Sequence, residues 1–204
     1  MQPEAITTKS GLNVSRETLE KLQRYHRLLL KWQESINLIS KTTIEDAWSR
    51  HFLDSVQLMK YIPEGVETVA DLGTGAGFPG LVLAMLRPDL KVFLIESDGK
   101  KCEFLKTVSR ETDTKVTILQ ERIEKTYKKL RVDLVIGRAL ANLPKLMGHM
   151  EGYKAPKGLF HKGQAYEEEI TMAKRSYNFE HEAYPSAIAE NSVLLYVTTD
   201  GVRA

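Results

Sequence analysis

The chain has 204 residues, with 29 Lys and Arg, 27 Asp and Glu, and a formal net charge of +2. Apolar residues make up 42% and charged residues 27%, which excludes a disordered, collagen-like or coiled-coil chain. The single cysteine, Cys102, excludes an intramolecular disulfide and favours a reducing compartment. The N-terminus shows no signal-peptide pattern and no apolar run is long enough to span a bilayer, so we expect a soluble, cytoplasmic protein.

The first predicted element is a helix that begins after Ser15, a residue type that caps helix N-termini well. One face of this helix is mostly apolar: Leu19, Leu22, His26, Leu29 and Ile36. Four basic residues recur on another face: Lys21, Arg24, Arg27 and Lys31. A capping-box pattern at residues 42–45 predicts a second helix over residues 43–59. We therefore expect an N-terminal helical extension, residues 1–62, before a core of residues 63–204.

After the break at Pro63, strands and helices alternate. The predicted strands are residues 68–72, 91–97, 116–120, 133–137 and 158–162, with two strand-like pieces at 179–184 and 192–199. The predicted helices are residues 78–87, 100–112, a stretch from 142, and 167–177. This alternation predicts an α/β fold: a mostly parallel, seven-stranded, Rossmann-like sheet with helices on both faces and an antiparallel hairpin at its end.

The strongest motif is residues 71–80, DLGTGAGFPG, which follows a predicted strand and opens a helix. Gly75, Gly77 and Gly80 match the dinucleotide fingerprint G-x-G-x-x-G, although that match alone is weak. Glycines at these positions let the backbone turn sharply and let a ligand approach the main chain. The alternative, a tight turn with no ligand, explains so many adjacent glycines less well.

Two ligands compete for this loop, a dinucleotide and S-adenosylmethionine. Asp71, just before Gly73, would repel a pyrophosphate but suits an ammonium group, directly or through water. Glu96 ends the second predicted strand, where an acid accepts ribose hydroxyls, and ribose is common to both ligands. Ile123 and Glu124 follow the third strand, where adenine could lie. Asp71 therefore decides the comparison in favour of S-adenosylmethionine.

The segment after the fourth strand, residues 136–140 (IGRAL), lacks the Asn/Asp-Pro-Pro-aromatic loop typical of enzymes that methylate exocyclic amines. Cys102 lies in a predicted helix away from the crevice, and we interpret it as a packing or surface residue rather than a nucleophile. A guanine ring nitrogen has a free lone pair and needs no general base, so it is consistent with this pattern. Arg138 could hold the cofactor carboxylate, an RNA phosphate or a neighbouring acid. Lys162 could meet RNA phosphate or a base acceptor, or be a solvated strand end.

These residues together resemble the bacterial 16S ribosomal RNA guanine-N7 methyltransferases (the RsmG family, also called GidB). The resemblance extends over nearly the whole chain in the family's order. It is carried by Asn37-Leu38, residues 50–55 (RHFLDS), residues 71–80, Arg138-Ala139 and Lys162-Gly163. The glycine loop alone would be shared by many methyltransferases.

The resemblance implies a class I methyltransferase fold with an N-terminal helical extension, and S-adenosylmethionine as methyl donor. It also implies transfer to N7 of a guanine at position 527, in the 530 loop of 16S rRNA, as free RNA or within a small-subunit particle. The cofactor contacts implied are Gly73, Phe78, Ile123 with Glu124, and Arg138. The family pattern often has an apolar residue where His161 stands and Ser where Gly137 stands. These departures concern the fine shape of the acceptor pocket, not the cofactor site.

With the resemblance, the basic stripe formed by Lys21, Arg24, Arg27 and Lys31 becomes a candidate for RNA phosphate contacts; otherwise it would be a solvated helix face. Arg50 and Asp54 are spaced to reach each other, and His51 and Asp54 are expected to join the helical extension to the core near the cofactor. His26 is expected to be packed. We find no metal-ligand spacing and expect a monomer.

Three alternatives stay open at this point. A nicotinamide-dependent oxidoreductase would need the glycine loop to accept a diphosphate, which Asp71 opposes. A non-catalytic ribosome-binding module would be expected to have an eroded loop, and this loop is intact. The residues alone do not exclude a methyltransferase that acts on tRNA, protein or a small molecule, so the choice of rRNA as methyl acceptor rests on the resemblance.

Overall fold

The computed structural model describes residues 14–199, which form one seven-stranded sheet with helices on both faces. The strand order is β3-β2-β1-β4-β5-β7-β6; β1 to β5 are parallel, and β7 is antiparallel to both neighbours. The strands are β1 Thr68–Leu72, β2 Lys91–Glu96, β3 Thr117–Gln120, β4 Leu134–Arg138, β5 Lys157–Lys162, β6 Glu180–Pro185 and β7 Val193–Thr198. The sequence-based prediction of fold class is confirmed, including the terminal antiparallel hairpin.

Six helical segments within residues 14–199 cover the sheet. Segment α2 is composite: a π-helical stretch Trp48–Leu53, an α-helical turn Asp54–Val56 and a 3₁₀ stretch Gln57–Tyr61. The other helices are α1 Arg16–Gln33, α3 Gly80–Leu86, α4 Gly99–Glu111, α5 Leu143–Tyr153 and α6 Tyr166–Ala173, with short 3₁₀ turns at Lys41–Thr43 and Ile123–Lys125. None of the described helices is long and apolar enough to cross a membrane.

The strands have apolar residues on both faces, as expected for a parallel sheet between two helical layers. Val69, Leu94 and Leu134 pack on the side of α1 to α4, whereas Ala70, Phe93 and Val135 pack on the side of α5 and α6. The N-terminal helices thus share one hydrophobic core with the sheet. The proposed boundary between residues 62 and 63 stays a prediction. The outer limits of both parts, and the segment inspected for a signal peptide, lie partly outside the described residues.

The start of the second helix was predicted wrongly. Residues 41–43 form only a 3₁₀ turn capped by Ser40, and the helical segment begins at Trp48 instead of at residue 43. The Thr43 hydroxyl donates to the Ser40 carbonyl at 2.9 Å and contacts His51 Nε2 at 2.9 Å. The Thr42 hydroxyl, which suggested a capping box, pairs with Ser40 Oγ at 2.9 Å instead, so it stabilises the local turn, because Ser and Thr side chains compete with helix formation.

Candidate functional site

The glycine loop connects β1 to α3 and is built around the Asp71 carboxylate. Asp71 is fully buried, and its Oδ2 accepts hydrogen bonds from the Gly80 amide at 2.8 Å and from the Thr74 hydroxyl. A Cβ at Gly80 would lie 2.7 Å from that oxygen, so only glycine leaves room for the bond. Gly75 has φ +60°, a left-handed conformation that glycine adopts without strain.

The environment of Asp71 distinguishes between the two competing ligands. Its Oδ2 already occupies the N-terminus of α3, the place where a dinucleotide would need its pyrophosphate. Its Oδ1 is buried and has no hydrogen-bond partner among the described residues. Burial raises the pKa of Asp71 to about 7, against the lowering effect of its bonds from Thr74 and Gly80. An ammonium group nearby would stabilise the ionised form, which fits S-adenosylmethionine and opposes a dinucleotide.

Glu96, at the end of β2, ties the neighbouring loops together. Its Oε1 accepts the amides of Ser97 at 2.7 Å and Asp98 at 2.8 Å, and its Oε2 accepts the Gly75 amide at 3.0 Å. A carboxylate offers about four lone-pair positions, so one remains on Oε2 for a ribose hydroxyl. Sequence reasoning assigned Glu96 only to ribose, whereas the structure also makes it the link between the glycine loop and β2.

Ile123 and Glu124 open the 3₁₀ turn that follows β3, on the same edge of the sheet. Ile123 is half-buried, and its carbonyl accepts the Thr126 hydroxyl at 2.7 Å, whereas Glu124 is exposed. The sheet order places this turn beyond β2, next to the loop that Glu96 organises. The structure therefore brings the residues predicted for ribose and adenine to one edge.

Aromatic packing supports the glycine loop from behind. Tyr25 of α1 donates its hydroxyl to the Ala76 carbonyl, and its ring stacks on Phe78 with centroids 5.2 Å apart. Phe52 of α2 packs edge-on against both rings. The Phe78 side chain is only 4% exposed, so it lies within this cluster. Sequence reasoning missed Tyr25, although its position between Leu22 and Leu29 on the apolar face of α1 was a signal.

Arg138, the last residue of β4, faces α2. Its guanidinium donates to His51 Nδ1 at 2.7 Å and to the Arg50 carbonyl at 3.0 Å, and lies 3.4 Å from Asp54 Oδ2. Because arginine has no acceptor, His51 Nδ1 must be unprotonated, and Nε2–H then donates to the Thr43 hydroxyl. Burial, and then the charge of Arg138, lowers the pKa of His51 to about 3, so this histidine is neutral.

Asp54 is the centre of a polar network between α2, β4 and β5. Its Oδ1 accepts from Gln57 Nε2 at 2.7 Å, and His161 Nε2 lies 3.0 Å from its carbonyl oxygen and 3.3 Å from its Oδ2. The expectation that His51 and Asp54 join the helical extension to the core is confirmed by these contacts. The prediction of an Arg50–Asp54 pair was wrong, because the π-helical stretch that ends at Leu53 turns the Asp54 side chain toward Arg138.

The basic stripe on α1 is not gathered at the cofactor edge. Lys21 pairs with Glu17 at 3.1 Å, and Arg24 donates to the Glu111 carbonyl at 3.0 Å, at the C-terminal end of α4. Since α4 leaves the cofactor edge at Gly99 and has 13 residues, its far end is about 18 Å away along the helix. Of the four residues in the stripe, Arg27 and Lys31 are the two that are exposed and make no such contact with the described residues.

The remaining candidates are buried or half-buried. Lys162 is 6% exposed and pairs with Glu169 Oε2 at 2.6 Å, so it is not a solvated strand end. Cys102 is buried in α4 with its Sγ 3.5 Å from the Glu96 carbonyl oxygen, as expected for a packing residue. His26 is half-buried and packs edge-on against Trp48 and Phe52. Among residues 14–199 no group of three or more His, Cys, Asp or Glu could hold a metal ion.

The fold and the cofactor edge define a class I methyltransferase, for which S-adenosylmethionine is the methyl donor. A methyltransferase from Geobacter sulfurreducens has the same fold, with a TM-score of 0.59, 14% identity and 98% coverage of both chains. A mutant of MtNAS in complex with S-adenosylmethionine gives a TM-score of 0.58 at 16% identity, covering 90% of this chain and 77% of the other.

Sequence comparison gives the family. The family model described as GidB, rRNA small subunit methyltransferase G, matches residues 18–193. A ribosomal RNA small subunit methyltransferase G of Paramagnetospirillum magneticum is 47% identical over 200 residues, covering 97% of this chain and 95% of the relative. One of Orientia tsutsugamushi is 42% identical over 91% of this chain and 92% of its own length. The chain belongs to the rRNA small subunit methyltransferase G family of rRNA methyltransferases.

Proposed function

We propose that the chain transfers a methyl group from S-adenosylmethionine to N7 of a guanine, position 527 in the 530 loop of bacterial 16S rRNA. The observation that carries this proposal is that the two histidines on the acceptor side of the site are not free to act as bases. Both ring nitrogens of His51 are hydrogen-bonded; His161 donates from Nε2 to the Asp54 carbonyl, and its Nδ1, which has no partner among the described residues, is buried. Guanine N7 needs no base, because its lone pair can attack directly once it is aligned.

The residues at the cofactor edge fit S-adenosylmethionine, which supplies an electrophilic methyl group on its sulfonium. We propose that Asp71 Oδ1 faces the ammonium group, directly or through water, since this buried oxygen has no partner among the described residues. Glu96 would use its remaining lone pair on a ribose hydroxyl. The main chain of Gly73, Gly75 and Gly77 would lie against the cofactor, and Ile123 with Glu124 would border the adenine.

We propose that the main role of the Arg138 guanidinium is to position the site, not to contact an RNA phosphate. Three of its contacts are to α2, and it lies 5.3 Å from the Phe78 ring centroid. It therefore connects the helical extension to the loop that holds the cofactor. Arg138 and Phe78 would then act on the cofactor through the shape of that loop.

We propose 16S rRNA within a small-subunit particle or assembly intermediate as the substrate. The enzyme would act as a monomer, in the cytoplasm where ribosomes are assembled. The exposed residues Arg27 and Lys31 are the members of the basic stripe most available to RNA phosphates.

The test is transfer of a labelled methyl group from S-adenosylmethionine to small-subunit particles from cells that lack the corresponding gene, followed by nucleoside mass spectrometry. We expect 7-methylguanosine that maps to the 530 loop. Absence of label, in a preparation that binds S-adenosylhomocysteine tightly, would overturn the rRNA assignment and leave the fold and cofactor site intact. Label at another nucleotide would move the assignment to that acceptor.

A further inference from the structure

A pocket of about 310 Å³ lies beside the cofactor loop, between the carboxyl ends of β4 and β5 and the N-terminal ends of α5 and α6. Its volume is at the lower end of the range for small-ligand pockets, roughly 300–1,000 Å³. Its walls include Gly137, Ala139, Leu140, His161, Lys162 and Glu169. Leu140 also touches the cofactor loop, since a Cβ at Gly73 would lie 2.7 Å from its Cδ1. The pocket therefore adjoins the loop that holds the methyl donor.

The ion pair between Lys162 and Glu169 in the pocket wall has one donor and one acceptor that are not used in bonds to the described residues. Lys162 Nζ donates to Glu169 Oε2 at 2.6 Å and to the Ala141 carbonyl at 2.7 Å, which uses two of its three protons. Glu169 Oε2 also accepts the Leu143 amide at 2.6 Å, so the bonds to this carboxylate from the described residues all go to Oε2. A donor on Lys162 and an acceptor, Glu169 Oε1, thus remain side by side.

A donor next to an acceptor is the complement of one edge of guanine. Guanine presents the O6 acceptor beside the N1–H donor, whereas adenine presents the opposite order, an amino donor beside the N1 acceptor. We propose that this pocket receives the target base and that Lys162 and Glu169 determine its identity, with Lys162 donating to O6 and Glu169 Oε1 accepting from N1–H. The contacts leave N7 free. This inference rests on the proposed function, because it names the residues that select the acceptor base.

The pair is well placed for discrimination because its geometry is fixed before the base arrives. Contacts to Ala141 and Leu143 hold both side chains against the start of α5. A base with the opposite pattern would set donor against donor and acceptor against acceptor. Sites built to hydrogen-bond a substrate reject analogues that leave their polar groups unpaired by large factors, up to about 10⁴–10⁵.

The experiment compares guanine with 2,6-diaminopurine at the target position of 16S rRNA in reconstituted small-subunit particles. This analogue keeps N7 and the 2-amino group but replaces O6 by an amino donor and N1–H by an acceptor. Wild type, Glu169→Gln and Glu168→Gln are each assayed for kcat/KM on both particles. Glu168 is the matched control, because it lies on the same helix, is exposed and does not line the pocket. Binding of S-adenosylhomocysteine is measured for all three proteins.

We expect wild type and Glu168→Gln to prefer guanine by at least about 100-fold. We expect Glu169→Gln to lower this preference below about 10-fold, because a glutamine amide can turn and donate to the N1 acceptor of the analogue. The preference is a ratio within one preparation, so a reduced folded fraction cancels from it. An unchanged preference in Glu169→Gln would overturn the inference. Failure of wild type to methylate guanine would instead overturn the proposed function.

Discussion

The site has a cofactor half, at the ends of β1 and β2, and an acceptor half, at the ends of β4 and β5. The two halves are held together in different ways. On the side of β1 and β2, the contacts are close in sequence: Asp71 bonds to Thr74 and Gly80, 3 and 9 residues away, and Glu96 to Gly75, 21 residues away. On the side of β4 and β5, Asp54 meets Arg138 and His161 across 84 and 107 residues. These contacts of the cofactor half are thus close in sequence, and Tyr25 of α1 adds a long-range contact at Ala76, whereas the Asp54 network of the acceptor half forms only when the helical extension is packed on the sheet.

This difference predicts where each half fails. The cofactor half depends on backbone shape and on space for one buried carboxylate. The acceptor half depends on compensated charges in a partly buried network, where removing one partner leaves the others unpaired.

Asp54→Ala should have the largest effect. Asp54 is 8% exposed and contacts Arg138, His161 and Gln57, so its removal leaves polar groups without a partner. We expect the free energy of unfolding, measured in urea, to fall by about 3–5 kcal/mol. Glu103→Ala removes the exposed pair with Lys106 and should change the free energy of unfolding little, because solvent-exposed ion pairs contribute little to stability. Equal losses in the two variants would show that the network does not connect the extension to the sheet.

Gly80→Ala should damage the cofactor half. The new Cβ would lie 2.6 Å from Leu94 Cδ2 and 2.7 Å from Asp71 Oδ2, so the loop must shift. We expect a loss of about 1–3 kcal/mol in the free energy of unfolding, with weaker binding of S-adenosylhomocysteine in calorimetry. Gly163→Ala is the control, because a Cβ there meets nothing within 4 Å. Normal binding by Gly80→Ala would contradict the role given to this close approach.

The pH dependence of cofactor binding should report on Asp71. Its pKa is raised to about 7 by burial, and a bound ammonium group should keep it ionised. The affinity for S-adenosylhomocysteine should then fall by up to about tenfold for each pH unit below about 7, and be level above it, because binding releases a proton. Asp71→Asn should lack this slope. The same slope in both proteins would assign it to another group.

The raised pKa of Asp71 also fixes the sign of a stability effect. The folded chain holds this proton more tightly than the unfolded chain, whose pKa is near the ordinary value of 3.8. The unliganded protein should therefore lose the contribution of Asp71 to stability as the pH rises from about 4 to about 7, and saturating S-adenosylhomocysteine should reduce that loss.

The basic stripe should show the smallest effect. Replacing Arg27 and Lys31 by alanine should reduce the salt dependence of particle binding by about 0.7 in log–log slope for each lost phosphate contact. Replacing Lys21 and Arg24 should change this slope less, since both already contact acidic or carbonyl groups. Affinity for S-adenosylhomocysteine should be unchanged in both. Equal slopes for the two double variants would place the RNA along the whole helix.

The sequence determined the strand and helix order, the glycine loop and the acids at the ends of β1 and β2. These features could be predicted because periodicity and glycine positions reflect interactions between residues close in the chain. Thr68–Leu72 was predicted with its observed bounds for this reason. The resemblance then identified the family that the comparisons confirm.

Only the tertiary structure decided which residues from separate elements meet. The π-helical turn of α2 directs Asp54 toward Arg138, and Tyr25 reaches the loop at Ala76 from a helix 51 residues earlier. The sequence predicts only that Lys162 ends a strand, but folding buries it against Glu169 beside the cofactor loop. Such contacts depend on how separate elements pack, and burial gives the charged groups in them an energetic importance that no local pattern indicates.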